Sequence, residues 1–168
     1  MPRRNRKANA AYLGGIIWII AAGIFFFDLF IKSYLRNNFS FQSIHLIKNI
    51  LHITVVFNRG AAFGILQGKG TFLVYIGLIF ILVFLVFIKK QGQKNLSFLI
   101  PCGLILGGAI SNLYDRIFFG FVVDYIDIRI WPVFNLSDSC ITIGAGLLFL
   151  SSFKKNGKNA DCSKRILR

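Results

Sequence analysis

Two carboxylates carry the sharpest chemical signal in this sequence. Asp124 lies in the apolar frame FVVDYI, and Asp138 stands at the start of a long apolar run. Two carboxyl groups brought together in a half-dry site cannot both ionise cheaply, so one keeps a proton and the pair titrates as a unit. One partner then acts as general base and the other as general acid around a water molecule. Intramembrane Asp residues also line ion pathways, so spacing alone leaves both chemistries open. Asp138 has a plainer use too. A helix N-terminus favours negative charge, with Ser137 or Asn135 as the cap.

The chain has six acidic residues, all Asp, and four of them (Asp115, Asp124, Asp127 and Asp138) fall between Gly107 and Gly144. Asn112, Asp115 and Arg116 are spaced i, i+3, i+4 and share one helical face. Arg116 is expected to hold Asp115 as a structural pair, and its guanidinium suits a carbonyl or a second carboxylate. Asp28 and Lys32, spaced i, i+4, are expected to pair at the far end of the first apolar run. His45 and His52 read as strand-surface or interfacial residues rather than ligands. Cys102, Cys140 and Cys162 form neither a CxxC motif nor an even set, so neither a disulfide framework nor a metal site is expected. With no P-loop and no GxGxxG, no cofactor is expected either.

These groups need a scaffold, and the composition says what kind. The 168 residues are 55% hydrophobic and only 15% charged, more apolar surface than a soluble domain of this size can hide. The reading is a single polytopic membrane domain over 1–168. Spans are expected at about 10–27, 72–88, 96–112 and 136–153. The first contains 18 residues without a charge, roughly 27 Å of helix. It is too long for a signal-peptide core and is read as retained. Between the first two spans, 36–70 is rich in β-branched residues with partial alternation, which predicts one or two short strands. Pro101 can kink the third span. Gly103, Gly107 and Gly108 on that span give a small-xxx-small surface for close helix packing.

A net charge of +14 on a soluble protein would point to nucleic acid. Here thirteen of the twenty Lys and Arg lie in 3–7, 89–94 and 154–168, all bordering apolar runs. That is positive-inside patterning, with a secondary attraction to anionic lipid. Both termini are therefore expected in the cytoplasm. Asp28, Asn58, Asn112, Asp115, Arg116, Asp124, Asn135 and Asp138 then all fall on the outer side.

Four segments together carry a resemblance: D-x-x-x-K at Asp28 to Lys32, NRGAAFG at Asn58 to Gly64, GGAISNLYDR with VVDYID at Gly107 to Asp127, and FNLSDSCITIG at Phe134 to Gly144. In order and spacing the chain resembles the bacterial lipoprotein signal peptidases (signal peptidase II). The resemblance implies an intramembrane aspartyl endopeptidase of the bacterial inner membrane. It would cleave diacylglyceryl-modified prolipoproteins just before the lipidated cysteine. The implied fold is an all-α membrane protein, a four-transmembrane-helix bundle with a small extracytoplasmic β-sheet. Asp124 and Asp138 match the catalytic dyad. Asn58, Asn112, Arg116 and Asn135 match positions that line the site, and Asp115 matches a structural acid. The implied partners are the prolipoprotein substrate and membrane lipid, with no nucleic acid, and a monomer is expected. Ser111, Tyr125 and Ser137 depart from the usual Gly, Phe and Ala. Ser111 is expected to be tolerated on a close-packed helix, and Ser137 to add a hydroxyl beside Asp138.

The competing class is a small transporter or proton channel using the same Asp residues. A transporter should carry polar groups near mid-span, often in broken helices. Spans one, two and four are clean through their middles. An assembly protein, the third class, would leave Asp124 unexplained.

Overall fold

In a computed structural model, residues 3–40, 43–60, 66–91 and 95–166 are described, with side chains from 14 to 152 within those ranges. The order is α1 (Arg3–Asn38), β1 (Ser43–Ile47), β2 (Leu51–Asn58), α2 (Gly70–Lys90), α3 (Leu96–Phe119), β3 (Val122–Asp127) and α4 (Leu136–Ile166). Of NRGAAFG, residues 61–64 lie outside the described residues, as does Lys94.

α3 is the central helix. Two thirds of its most apolar stretch is buried, against 6% for α2. Asn95 caps its start by accepting from the Phe98 N–H, and Gly120 ends it in the left-handed region at φ 74°. That conformation suits a residue without Cβ. The expected small-residue surface is real and two-sided. A methyl group on Gly103 would stand 2.7 Å from Ile20 Cβ, and one on Gly107 2.7 Å from the Ala21 carbonyl of α1. On the opposite side, a methyl on Gly108 would stand 2.5 Å from the Ser137 carbonyl of α4. Glycine thus lets α1 and α4 close on α3 from both sides. Ile17 and Ala21 of α1 and Phe98, Leu99, Cys102 and Leu106 of α3 form the buried apolar cluster.

Several helices extend beyond the apolar runs expected to span. α1 runs past residue 27 to Asn38, and α3 past 112 to Phe119. A hydropathy run stops at its first charge, but a helix continues where that charge finds a partner across the bundle. α3 also passes unbroken through Pro101 in its second turn. Among the described residues, three helical stretches, Gly14–Asn38, Gly70–Lys90 and Leu96–Phe119, are long and apolar enough to cross a membrane, whereas the apolar part of α4, Leu136–Ser152, is shorter. Lys89 and Lys90 close the last turn of α2, where cations suit the helix dipole.

The β-rich segment forms two short strands, the upper end of the expectation, with β1 antiparallel to β2, and β3 completes an antiparallel sheet of order β1-β2-β3. β3 was not anticipated, although VVDYI has β-branched and aromatic residues around one Asp. Val56 pairs with Asp124 in the register of β2 and β3. Leu35, Val55, Val123 and Tyr125 pack the sheet against α1. A bridge between Ile126 and Phe134 ties the far edge of β3 to the residue just before Asn135 and α4. The start of α4 is thereby held against the strand that carries Asp124.

Candidate active site

Asn135 is the N-cap of α4. Its side-chain Oδ1 accepts from the Asp138 N–H at 2.9 Å, and its own N–H donates to Asp138 Oδ2 at 3.3 Å. This reciprocal arrangement is a capping box. It leaves the Asn135 Nδ2 pointing away from α4, where it donates to Asp124 Oδ1 at 2.7 Å. Asn135 therefore touches both carboxylates, and it is fully buried.

Asn58 and Asn112 follow the same logic. Asn58 Oδ1 accepts from the Gly60 N–H at 2.9 Å, so its Nδ2 donates to Asp124 Oδ2 at 2.9 Å. Asn112 Oδ1 accepts from the Lys32 ammonium at 2.9 Å, so its Nδ2 donates to Asp138 Oδ1 at 2.7 Å. A backbone N–H and an ammonium can only donate. Each amide is thus fixed one way round, with its NH₂ aimed at a carboxylate. Arg116 donates to the Asn112 and Gly60 carbonyls at 3.3 and 3.2 Å. Its guanidinium has five N–H groups, which leaves donors facing the cavity.

That cavity has a volume of about 470 Å³. Asp124, Asp138, Asn58, Asn112 and Arg116 form its polar side, and Val56, Trp131, Pro132, Val133 and Ile141 lie on its apolar side. Burial, reinforced by the nearby Asp138 carboxylate, pushes the Asp124 carboxyl up to about 6, against the opposing hydrogen bonds from Asn58 and Asn135. Asp124 therefore holds a proton well above the usual carboxylate range. Among the described residues, no group of three or more His, Cys, Asp or Glu is placed to hold a metal ion.

Behind this site lies a second polar cluster. Asp28 and Lys32 pair at 2.7 Å as expected, just past the first apolar run, and both are buried within the bundle. Asp115 pairs with Lys32 at 3.0 Å, not with Arg116. Consecutive helix residues point about 100° apart, so Asp115 faces α1 while Arg116 faces the cavity. Removing one partner of such a buried set costs roughly 3–5 kcal/mol. The three departures noted above meet here. Ser111 and Ser137 hydroxyls each donate to Asp28 Oδ2 at 2.6 Å, and the Tyr125 hydroxyl donates to Asp28 Oδ1 at 3.3 Å. Burial, together with the Asp28 charge, pushes the Tyr125 phenol up, so it stays a donor. Ser137 therefore serves Asp28 and not Asp138. Only tertiary packing reveals this convergence, since the three hydroxyls come from α3, β3 and α4.

Asp127 belongs to neither cluster. It accepts from Thr54 Oγ1 at 3.1 Å and from the Arg129 N–H at 2.9 Å. His45 and His52 stack edge to face at 4.3 Å across β1 and β2. His45 is exposed. His52 is buried, against the surface reading, with neither ring nitrogen hydrogen-bonded.

The chain matches the family described as signal peptidase (SPase) II over residues 20–154. It is 44% identical over 139 residues to a lipoprotein signal peptidase of Halothermothrix orenii, covering 80% of this chain and 93% of the relative. It is 41% identical over 150 residues to one from Caldicellulosiruptor bescii, covering 89% and 99%. A bacterial membrane enzyme solved by the in meso method at 2.3 Å resolution superposes with a TM-score of 0.79 at 35% identity, covering 86% of this chain and 91% of that one. Matches of this identity over nearly the whole of both chains mean that this chain belongs to the signal peptidase II family of bacterial membrane peptidases.

Proposed function

We propose that the protein is an intramembrane aspartyl endopeptidase that removes the signal peptide from diacylglyceryl-modified prolipoproteins, with Asp124 and Asp138 as its catalytic dyad. The observation that carries this reading is the orientation of three asparagine amides, each held by an obligate donor and each aimed at one of two carboxylates, the buried Asp124 or the half-buried Asp138. A site built this way keeps its groups preorganised for charge that develops during reaction. The relatives named above are called lipoprotein signal peptidases, which supports the substrate class.

In this reading one proton is shared by the dyad and a water molecule lies between the carboxyls. The ionised partner takes a proton as the water oxygen attacks the scissile carbonyl carbon. The protonated partner gives its proton to the carbonyl oxygen, forming a tetrahedral diol. Collapse of the diol breaks the C–N bond, and the amine leaves with a proton returned by the dyad. Asn58 and Arg116 face the cavity and hold the substrate backbone. The apolar part of α4, at roughly 26 Å for its 17 residues, serves as a fourth span. Both termini are cytoplasmic and the site faces the outer leaflet, where an acylated substrate enters sideways from the bilayer.

The test is cleavage of a lipidated precursor by purified protein. Asp124→Asn and Asp138→Asn should each lower the rate by a factor on the order of a thousand, the loss expected for a group in a concerted acid–base unit. The same precursor without its diacylglyceryl group should be cut poorly. Substantial activity in either variant, or inactivation by EDTA with recovery on adding Mg²⁺, would overturn the dyad. Cys162 should react with an impermeant thiol reagent only after the membrane is opened.

A further inference from the structure

We infer that Lys32 is a positioning residue for the reaction: from behind the dyad, its ammonium fixes the Asn112 amide and, through it, the hydrogen bond that Asp138 receives. The inference rests on the dyad reading above. Lys32 is 2% exposed and does not line the 470 Å³ cavity, so it touches no substrate. Its three N–H donors reach Asp28 at 2.7 Å, Asn112 Oδ1 at 2.9 Å and Asp115 at 3.0 Å, with the Ser111 hydroxyl a longer contact at 3.5 Å. The two carboxylates hold the ammonium in place, and the amide oxygen turns that position into orientation. Because an ammonium cannot accept, Asn112 must present Oδ1 to Lys32 and Nδ2 to Asp138. A charged donor also polarises the amide it binds and strengthens the bond that the amide donates onward.

The only other side chain that donates to Asn112 Oδ1 among the described residues is the neutral Asn135 amide, at 3.1 Å. Without Lys32, Asn112 keeps that weaker restraint alone. The charged groups around the Asp138 carboxyl are Lys32 from α1, Arg116 from α3 and Asp124 from β3. Those around the ammonium are Asp28 of its own helix and Asp115 of α3. Lys32 therefore acts on Asp138 through the Asn112 amide, whose Nδ2 it keeps aimed at the carboxylate.

This chain also supplies the means of testing the idea. Asp28 has three hydroxyl donors besides Lys32, so it remains satisfied when the ammonium is removed. Asp115 would keep the long bond from the Val123 N–H, at 3.4 Å, but no counter-charge, so a charge-matched pair, Lys32→Met with Asp115→Asn, accompanies Lys32→Met alone. Full-length protein in detergent is assayed on a diacylglyceryl lipopeptide precursor across pH. In the charge-matched pair kcat should fall roughly a hundredfold, the scale of a misplaced reacting group, with KM little changed. In an Asn112→Ala background, adding the charge-matched pair should cost no further activity, because the relay is already cut.

Wild-type kcat in the charge-matched pair, or losses that simply multiply with Asn112→Ala, would overturn the proposal. So would failure of both Lys32 variants to accumulate as folded protein, which would make Lys32 a requirement for folding. Asp138→Asn run in parallel separates the two readings. Activity surviving there overturns the dyad itself. An inactive Asp138→Asn beside a fully active Lys32 variant overturns only the relay.

Discussion

The backbone N–H of Asp138 donates to the side-chain Oδ1 of Asn135 at 2.9 Å, and this bond decides which end of the Asn135 amide meets Asp124. The same residue thus starts α4 and hands a donor to the carboxylate on β3. Asn135→Asp separates these two jobs. Asp caps a helix about as well as Asn, so the protein should still fold. Its carboxylate would face Asp124 where an NH₂ group had been. The rate should fall on the order of a hundredfold to a thousandfold, as when one preorganised donor is lost. Single-turnover cleavage of the lipidated precursor, with thermal unfolding measured alongside, checks both halves.

The raised Asp124 carboxyl predicts where activity fades with pH. A group that must donate a proton is competent below its own value and is lost as pH rises through it, here at about 6. The base partner is lost in the opposite direction, as pH falls and it takes up a proton. A plot of kcat/KM against pH should therefore be a bell with its alkaline limb near 6. The alkaline limb of kcat should lie higher, because bound substrate excludes water and deepens the burial that raised Asp124. An alkaline limb absent up to about pH 8 would remove the acid role from Asp124.

Gly108 tests the contact that brings α4 to the site. A methyl there would meet the Ser137 carbonyl at 2.5 Å and Ile141 Cγ1 at 3.0 Å. One of these is backbone, so the helices must separate. Gly108→Ala should destabilise by about 1–3 kcal/mol and lower kcat by moving Asp138. Gly146→Ala is the control. It sits on the same helix as Asp138 with nothing within 4 Å and should leave both quantities near wild type.

His52 predicts an acid-sensitive sheet. Burial, with His45 and Arg129 adding to it and Asp127 opposing, holds His52 below its ordinary 6.5. Its neutral form is the one that folds. The stability tied to it is fully present above 6.5 and is lost as pH falls below that value. His52→Phe removes two unsatisfied ring nitrogens while keeping an aromatic ring against His45. The variant should melt at a higher temperature and lose the decline between neutral and acid pH. A variant that melts lower than wild type at every pH would show that the ring nitrogens are satisfied.

Much of this protein was determined by local sequence. The apolar runs, the hairpin over 43–58 and the glycines that let helices close are properties of composition and short-range pattern. So are the residue types needed for acid–base chemistry at Asp124 and Asp138. What pattern could not supply was partnership. Lys32 lies four residues from Asp28, yet its other bonds reach Asp115 and Asn112, some eighty positions away in the chain. Helical spacing put Asp115 beside Arg116, and packing against α1 gave it to Lys32 instead. α1 and α3 run on past their apolar stretches for the same reason. A charge ends a hydropathy run but ends no helix when a buried counter-charge meets it. Strand β3 was hidden because its six residues become a strand only when β2 offers an edge. Periodicity is local, whereas the direction in which an amide points is settled by whichever donor the tertiary fold brings to its oxygen.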